Sequence, residues 1–218
     1  MTGFSSSPRI VKGGLVLVDP DSASVRRVIA LQYNPDSLTR TLQPQSMGEG
    51  AEQSEALRLK GPAVETIKLE AEIDAADQLE FPDQHQNVVQ FGVAPQLAVL
   101  EAMVNPAAEA MLANKALANA GTLEIAPMES SLALFVWGAN RIVPVTVSEF
   151  SITEEAFDVA LNPIRAKVNL GLRVLSVDDL GFNHKGGSLF MAYLQSREQL
   201  AAKAATVGFD ALGIGGIP

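Results

Sequence analysis

Apolar and polar residues alternate with a period of two along much of this chain. In residues 164–174, Ile164, Ala166, Val168, Leu170, Leu172 and Val174 fall on one side, while Arg165, Lys167, Asn169 and Arg173 fall on the other. Side chains point to opposite faces along a strand, so the pattern predicts one long β-strand with a dry face and a wet or partner-facing face. Ile67, Leu69, Ala71 and Ile73 repeat it against Thr66, Lys68, Glu70, Glu72 and Asp74. A third stretch carries Val143, Val145 and Val147, after which Phe150 and Ile152 continue on the opposite parity. A slip of one residue is what a β-bulge produces. Pro144 has no N–H to give a ladder, which predicts that this strand starts at an edge or a kink. Shorter strands are predicted at residues 15–19, 27–33 and 132–137, with Gly13-Gly14 as a bend or bulge at the first.

Helical spacing is confined to two regions. Leu97, Leu100, Met103 and Val104 recur at helical intervals behind Pro95, a residue suited to a first turn. Asn105-Pro106 predicts a stop and restart, with Asn105 capping an Ala-rich second helix that ends at Gly121. A last helix over 188–207 carries Leu189, Tyr193, Leu200 and Ala204 on one stripe, with Ser188 as N-cap after a Gly186-Gly187 hinge. Residues 41–61, rich in Gln, Glu, Ser and Gly, read as a long loop that adjacent subunits would order, and 208–218 as a Gly-rich apolar tail. This order predicts an α+β fold, an antiparallel β-barrel or rolled sheet with helices packed outside and an interior filled by side chains. The barrel domain would span 1–178 with a helical insertion at about 93–120, followed by a C-terminal helix and tail over 179–218.

Composition narrows the class. Of 218 residues, 47% are hydrophobic and only 19% charged, which predicts apolar surface left for other subunits to cover. The net charge of −9 has the wrong sign for a phosphate backbone or an anionic membrane surface, so nucleic acid is not an expected partner. There is no cysteine, hence no disulfide, thiolate nucleophile or Cys-ligated zinc. Residues 1–8 lack the basic and apolar regions of a leader, and no window approaches the roughly 18 apolar residues of a membrane span. The expectation is a cytoplasmic protein without direct membrane insertion.

Candidate chemistry is sparse. His85 and His184 have no metal-ligand partners at useful spacing, and no Gly-rich phosphate loop occurs. Asp19-Pro20-Asp21-Ser22 reads as a turn before a calcium site, and Asp178-Asp179 as a solvated strand end. Glu154 and Glu155 are adjacent on a strand and point to opposite faces, so they do not pair as acid and base without a bulge. The sequence therefore predicts no catalytic residue, no metal, no cofactor and no enzyme. A hydrolase using Glu154 or Glu155 with His184 is the weaker alternative.

Three stretches taken together carry a resemblance. They are Leu31-Gln32-Tyr33-Asn34-Pro35-Asp36-Ser37-Leu38, Leu134-Phe135-Val136-Trp137-Gly138, and Ser151-Ile152-Thr153-Glu154-Glu155-Ala156-Phe157-Asp158 leading into Leu161-Asn162-Pro163-Ile164-Arg165-Ala166-Lys167-Val168. Over about 27–177 the chain resembles the tube-initiator or inner-baseplate proteins of extracellular contractile injection systems, such as the antifeeding prophage and the Photorhabdus virulence cassettes. The resemblance implies a phage tail-tube-like rolled antiparallel β-barrel with flanking helices. It also implies a homo-hexameric ring joining a spike protein to the inner tube protein, beside other baseplate proteins, in a phage tail-like particle. Tyr33, Asn34, Pro35, Trp137, Glu154, Glu155, Phe157, Arg165, Lys167 and Arg173 are then subunit-interface candidates, the three cations facing a channel or acidic neighbours. The family often continues into a C-terminal LysM module, for which 180–218 shows no pattern. A monomeric β-barrel carrying a small apolar ligand is the alternative from a different class.

Overall fold

The alternating segments become strands in the computed structural model, which describes residues 10–20, 22, 24–45, 59–121 and 131–217. The strands are β1 (Gly14–Val18), β2 (Val25–Ala30), β3 (Thr39–Gln43), β4 (Val64–Asp74), β5 (Leu132–Val136), β6 (Ile142–Phe157) and β7 (Pro163–Val174). They form one antiparallel sheet in the order β2-β1-β5-β6-β7-β4-β3. Six α-helices accompany it among the described residues: α1 (Ala76–Leu79), α2 (Gln86–Phe91), α3 (Ala94–Glu101), α4 (Ala108–Asn119), α5 (Val177–Leu180) and α6 (Lys185–Ala201). The architecture is α+β.

The dry faces meet as the alternation predicts. Ile67 sits across from Leu172, Leu69 from Leu170, Ala71 from Val168 and Ile73 from Ala166, and all eight are buried. Phe135, Leu15, Leu97 and Leu100 join the same cluster, as do Phe190 and Tyr193 of α6. The predicted parity slip is real: the β6–β7 register shifts between Val147 and Glu149, leaving Ser148 as the extra residue. Pro144, by contrast, sits inside a central strand and is fully buried. Its carbonyl accepts from Leu175 N–H (2.9 Å), just past the end of β7. A strand residue's N–H and C=O point the same way, so the missing donor faces the side where β7 has already ended.

A closed barrel is not what forms. Among the described residues no ladder joins β2 to β3, so the sheet is open. Alternation reports that each strand has two faces and says nothing about whether the first and last edges meet. The sheet nevertheless curls. Gln32, just beyond β2, donates from Nε2 to Asp74 O (2.7 Å) and accepts at Oε1 from Asp74 N–H (3.0 Å), although β4 is five strands away in the order. Five spacings of about 4.8 Å would separate them by about 24 Å in a flat sheet.

Other expectations shift locally. Residues 39–43, partly assigned to the long loop, form β3, while residues 46–58 of that loop and the segment 1–8 lie outside the described residues. Asn105 does not cap α4; its Nδ2 donates back to Glu101 O (3.1 Å) at the end of α3. The last helix starts at Lys185 and is capped by His184, whose Nδ1 accepts from Gly186 N–H (3.0 Å). Gly187 is no hinge: a Cβ there would lie 2.0 Å from Gly181 O, so only glycine lets α6 pack on the end of α5. Leu200 is exposed, and Ala204 lies beyond the helix end.

Candidate functional site

The most sharply built surface feature is the turn joining β6 to β7. Asp158 Oδ1 accepts from the N–H groups of Ala160 (2.7 Å) and Asn162 (2.8 Å), and its Oδ2 from Asn162 Nδ2 (2.8 Å). These bonds, that from the Asn162 side chain above all, hold the Asp158 carboxyl below the usual carboxylate range. Asn162 Nδ2 also reaches Gln90 O (3.1 Å), and Val93 N–H donates to Pro163 O (2.8 Å), which fastens the tip to α2 and α3. On this rigid base Phe157, Val159 and Leu161 face solvent at 50%, 106% and 79%. Ala156 (φ 55°) and Leu161 (φ 64°) sit in the left-handed region, which costs a non-glycine residue energy and is most often retained for a purpose.

The Tyr33-Asn34-Pro35 segment and Trp137 form a second corner. Asn34 accepts from Gly13 N–H (2.9 Å) and donates to Val11 O (2.9 Å), so it clamps the chain entering β1. Trp137 stacks on Phe135 (centroids 5.9 Å apart) and lies over Gly13, where a Cβ would come within 2.3 Å of its ring. Trp137 is thereby half-buried within its own chain, whereas Tyr33 is exposed.

The three cations of β7 lie on the outer face, but they are not an unopposed positive stripe. Arg165 pairs with Asp74 (2.7 Å) and approaches Glu72 (3.9 Å). Lys167 pairs with Glu155 (3.5 Å) and Arg173 with Asp179 (2.9 Å), and Lys68 on β4 pairs with Glu149 (2.6 Å). β4 and β6, and α5 for Arg173, place a carboxylate beside each cation, which alternation along a single strand cannot reveal. Glu154 sits on the other face, opposite Ala166. Arg173 is eight residues from Arg165, about 26 Å along the strand. Nine of the ten candidates therefore divide among the tip, the corner, and the two ends of the outer face, and Glu154 stands apart on the opposite face.

Glu155 and His184, the pair weighed for a hydrolase, are not brought together. Glu155 is committed to Lys167 near Arg165, whereas His184 caps α6 and lines a hollow with Leu132, Val145 and Leu175 near the other end of β7. That open hollow, about 780 Å³, is bordered by Met103, Val104 and Ala107 in the link between α3 and α4. Asp19 accepts from Ser22 N–H and Oγ and pairs with Arg26, as a turn does, and its carboxyl falls to about 2, first through the Ser22 N–H. Among the described residues no group of three or more His, Cys, Asp or Glu side chains could hold a metal ion, and no helix is long and apolar enough to cross a membrane. The Ala-rich α4 buries none of its residues and leaves Met111, Leu112 and Leu117 exposed.

One cluster had no motif to announce it. Glu65, on the dry parity of β4, is buried at 5% exposure. Its carboxylate accepts from Arg40 Nε of β3 (2.6 Å) and from Tyr193 Oη of α6 (3.2 Å), and Arg40 Nη2 donates to the same Tyr193 oxygen (2.8 Å). Burial raises the Tyr193 pKa, which keeps the phenol protonated and able to donate. Arg197 stacks over the Tyr193 ring (5.7 Å). The readable signal was a carboxylate in inward register on β4; its partners lie 25 and 128 residues away.

No protein-family model matches the chain, and no curated protein is significantly similar to it.

Proposed function

We propose that this chain is a structural, ring-forming subunit of a phage-tail-like contractile injection machine. In this reading six copies form a ring that links the spike to the inner tube, with other baseplate proteins around it, and the chain does no catalysis. The observation that carries the reading is the β6–β7 tip. A hydrogen-bonded, partly strained turn holding Phe157, Val159 and Leu161 out into water is costly for a monomer and useful to a subunit that buries it against a neighbour. The tip also falls inside the stretch that carries the strongest part of the sequence resemblance. The edges β2 and β3 and helix α4, which are unpaired and uncovered among the described residues, give further surfaces for assembly. A tube-type fold accommodates the curled sheet, whose Gln32–Asp74 bridge brings the chain just past the edge strand β2 to the end of β4, five strands away in the order.

The test is the mass of the full chain by native mass spectrometry and sedimentation, with particles purified alongside its neighbours. A six-subunit species that Val159→Asp reduces to monomer is expected. A monomer that stays monomeric at high concentration and is absent from particles would overturn the proposal. The hollow beside α4 favours a second reading, a small-ligand carrier. Saturable binding of an apolar dye by a stable monomer would favour that reading instead.

A further inference from the structure

We propose that the β6–β7 tip of one copy seats in the hollow beside α4 of a second copy, which joins the two head to tail. The inference rests on the ring reading and names the two surfaces that meet. Tip and hollow lie at opposite ends of one hairpin: the tip is residues 158–162, whereas Val145 of β6 and Leu175, just past β7, line the hollow. The 12 residues of β7 set them about 40 Å apart along the strand, and α2 and α3 brace the tip, so it cannot enter the hollow of its own chain. A contact between two different patches leaves a free tip and a free hollow at the ends of a row. The row becomes a ring when its rotation closes.

The two surfaces match in three respects. The tip offers Phe157, Val159 and Leu161, and the hollow is faced by Leu17, Met103, Leu132, Leu175 and Leu180. Its volume of about 780 Å³ is that of a site for a drug-sized group, and three apolar side chains are of that order. Hydrogen-bonding capacity is complementary as well. No donor among the described residues meets the carbonyls of Val159 and Ala160. His184 Nδ1 accepts from Gly186 N–H, so the neutral ring carries its proton on Nε2, at the other edge of a side chain that lines the hollow. Charge agrees in sign. The tip's one charged group is Asp158, while the described lining of the hollow contains Arg26, which pairs with Asp19, and no acid, in a chain with 25 acidic against 16 basic residues. A seated tip would also cover Ala107 and Ala110 at the N-terminal end of α4, a helix of 12 residues that buries none of them. A helix of that length is marginal in water without a packing partner.

The experiment mixes two full-length variants, each defective on one surface. Val159→Asp spoils the tip and leaves the hollow intact; Val104→Asp, at a lining position 43% exposed, sets an acid against the tip and leaves the tip intact. Each variant alone should associate at least tenfold more weakly than the native chain, with thermal melts showing that both are folded. Mixed, they should give a 1:1 pair by native mass spectrometry, because one good tip and one good hollow remain and the pair cannot extend. If the native chain assembles and the mixture stays monomeric, the contact is overturned while the ring reading stands. If the native chain forms head-to-tail rows that do not close at six, and the mixture still pairs, the contact stands and the six-fold ring falls. A native chain that never associates overturns both. Saturable uptake of an apolar dye by that monomer, abolished by Val104→Asp, would then give the hollow to a small ligand.

Discussion

Two charged regions of this molecule use the same residue types to opposite ends. On the outer face of β4, β6 and β7, acids and bases pair across strands in water: Lys68 and Glu149 are 60% and 56% exposed. At the inner end of β3 and β4, Arg40 and Glu65 are 16% and 6% exposed and share Tyr193. Exposed pairs gain little because water and salt screen them, while a buried carboxylate left without its partner retains the whole cost of its desolvation. The first region neutralises a face; the second ties an edge strand and a helix to the core.

The contrast breaks most visibly at Glu65. Glu65→Ala strands Arg40 in a dry site and is expected to cost about 3 kcal/mol in urea unfolding, whereas a loss below about 1 kcal/mol would put Glu65 in the same class as the outer pairs. Tyr193→Phe removes one hydroxyl but keeps the ring, so a loss of about 1 kcal/mol is expected by the same measurement. Acid comes next. The Ala76 N–H, and then Arg165, hold the Asp74 carboxyl below its ordinary value. Its folded pKa thus lies below an unfolded value of about 3.9, so its contribution is complete above about pH 4 and disappears as pH falls through the folded value. Thermal melts from pH 5 downward should show that loss, and Asp74→Asn should flatten it. Smallest is Lys68→Gln, expected to change stability by less than about 0.5 kcal/mol, with the difference vanishing in high salt.

Strand faces were legible where the alternation was long. The inward set on β4 and β7, and the bulge at Ser148 between Val147 and Glu149, follow from parity. Short or mixed elements were not. β3 carries Thr39, Arg40, Thr41, Leu42 and Gln43, of which only one is apolar, and it becomes a strand because β4 offers it an unpaired edge. α1 and α2 have no buried residue to set a period. The start of α6 was misplaced because Gly186-Gly187 reads as a hinge until Gly181 and Leu180 are seen packed against it. Among the candidate site residues, Phe157 was found on an exposed tip and Trp137 folded inward, a distinction made by Gly13, more than a hundred residues earlier in the chain.

The facing of residues along each long strand and the polarity of the outer face were already contained in the order of amino acids. Each depends on a local period of two or on residue identity alone. Pairing each β7 cation with an acid, curling the sheet so that Gln32 meets Asp74, and bringing Arg40, Glu65 and Tyr193 to one place required the folded chain. Those contacts span up to 153 residues and depend on which strand edges lie side by side. Side-chain periodicity carries no information about that choice, which is made by the packing of whole elements.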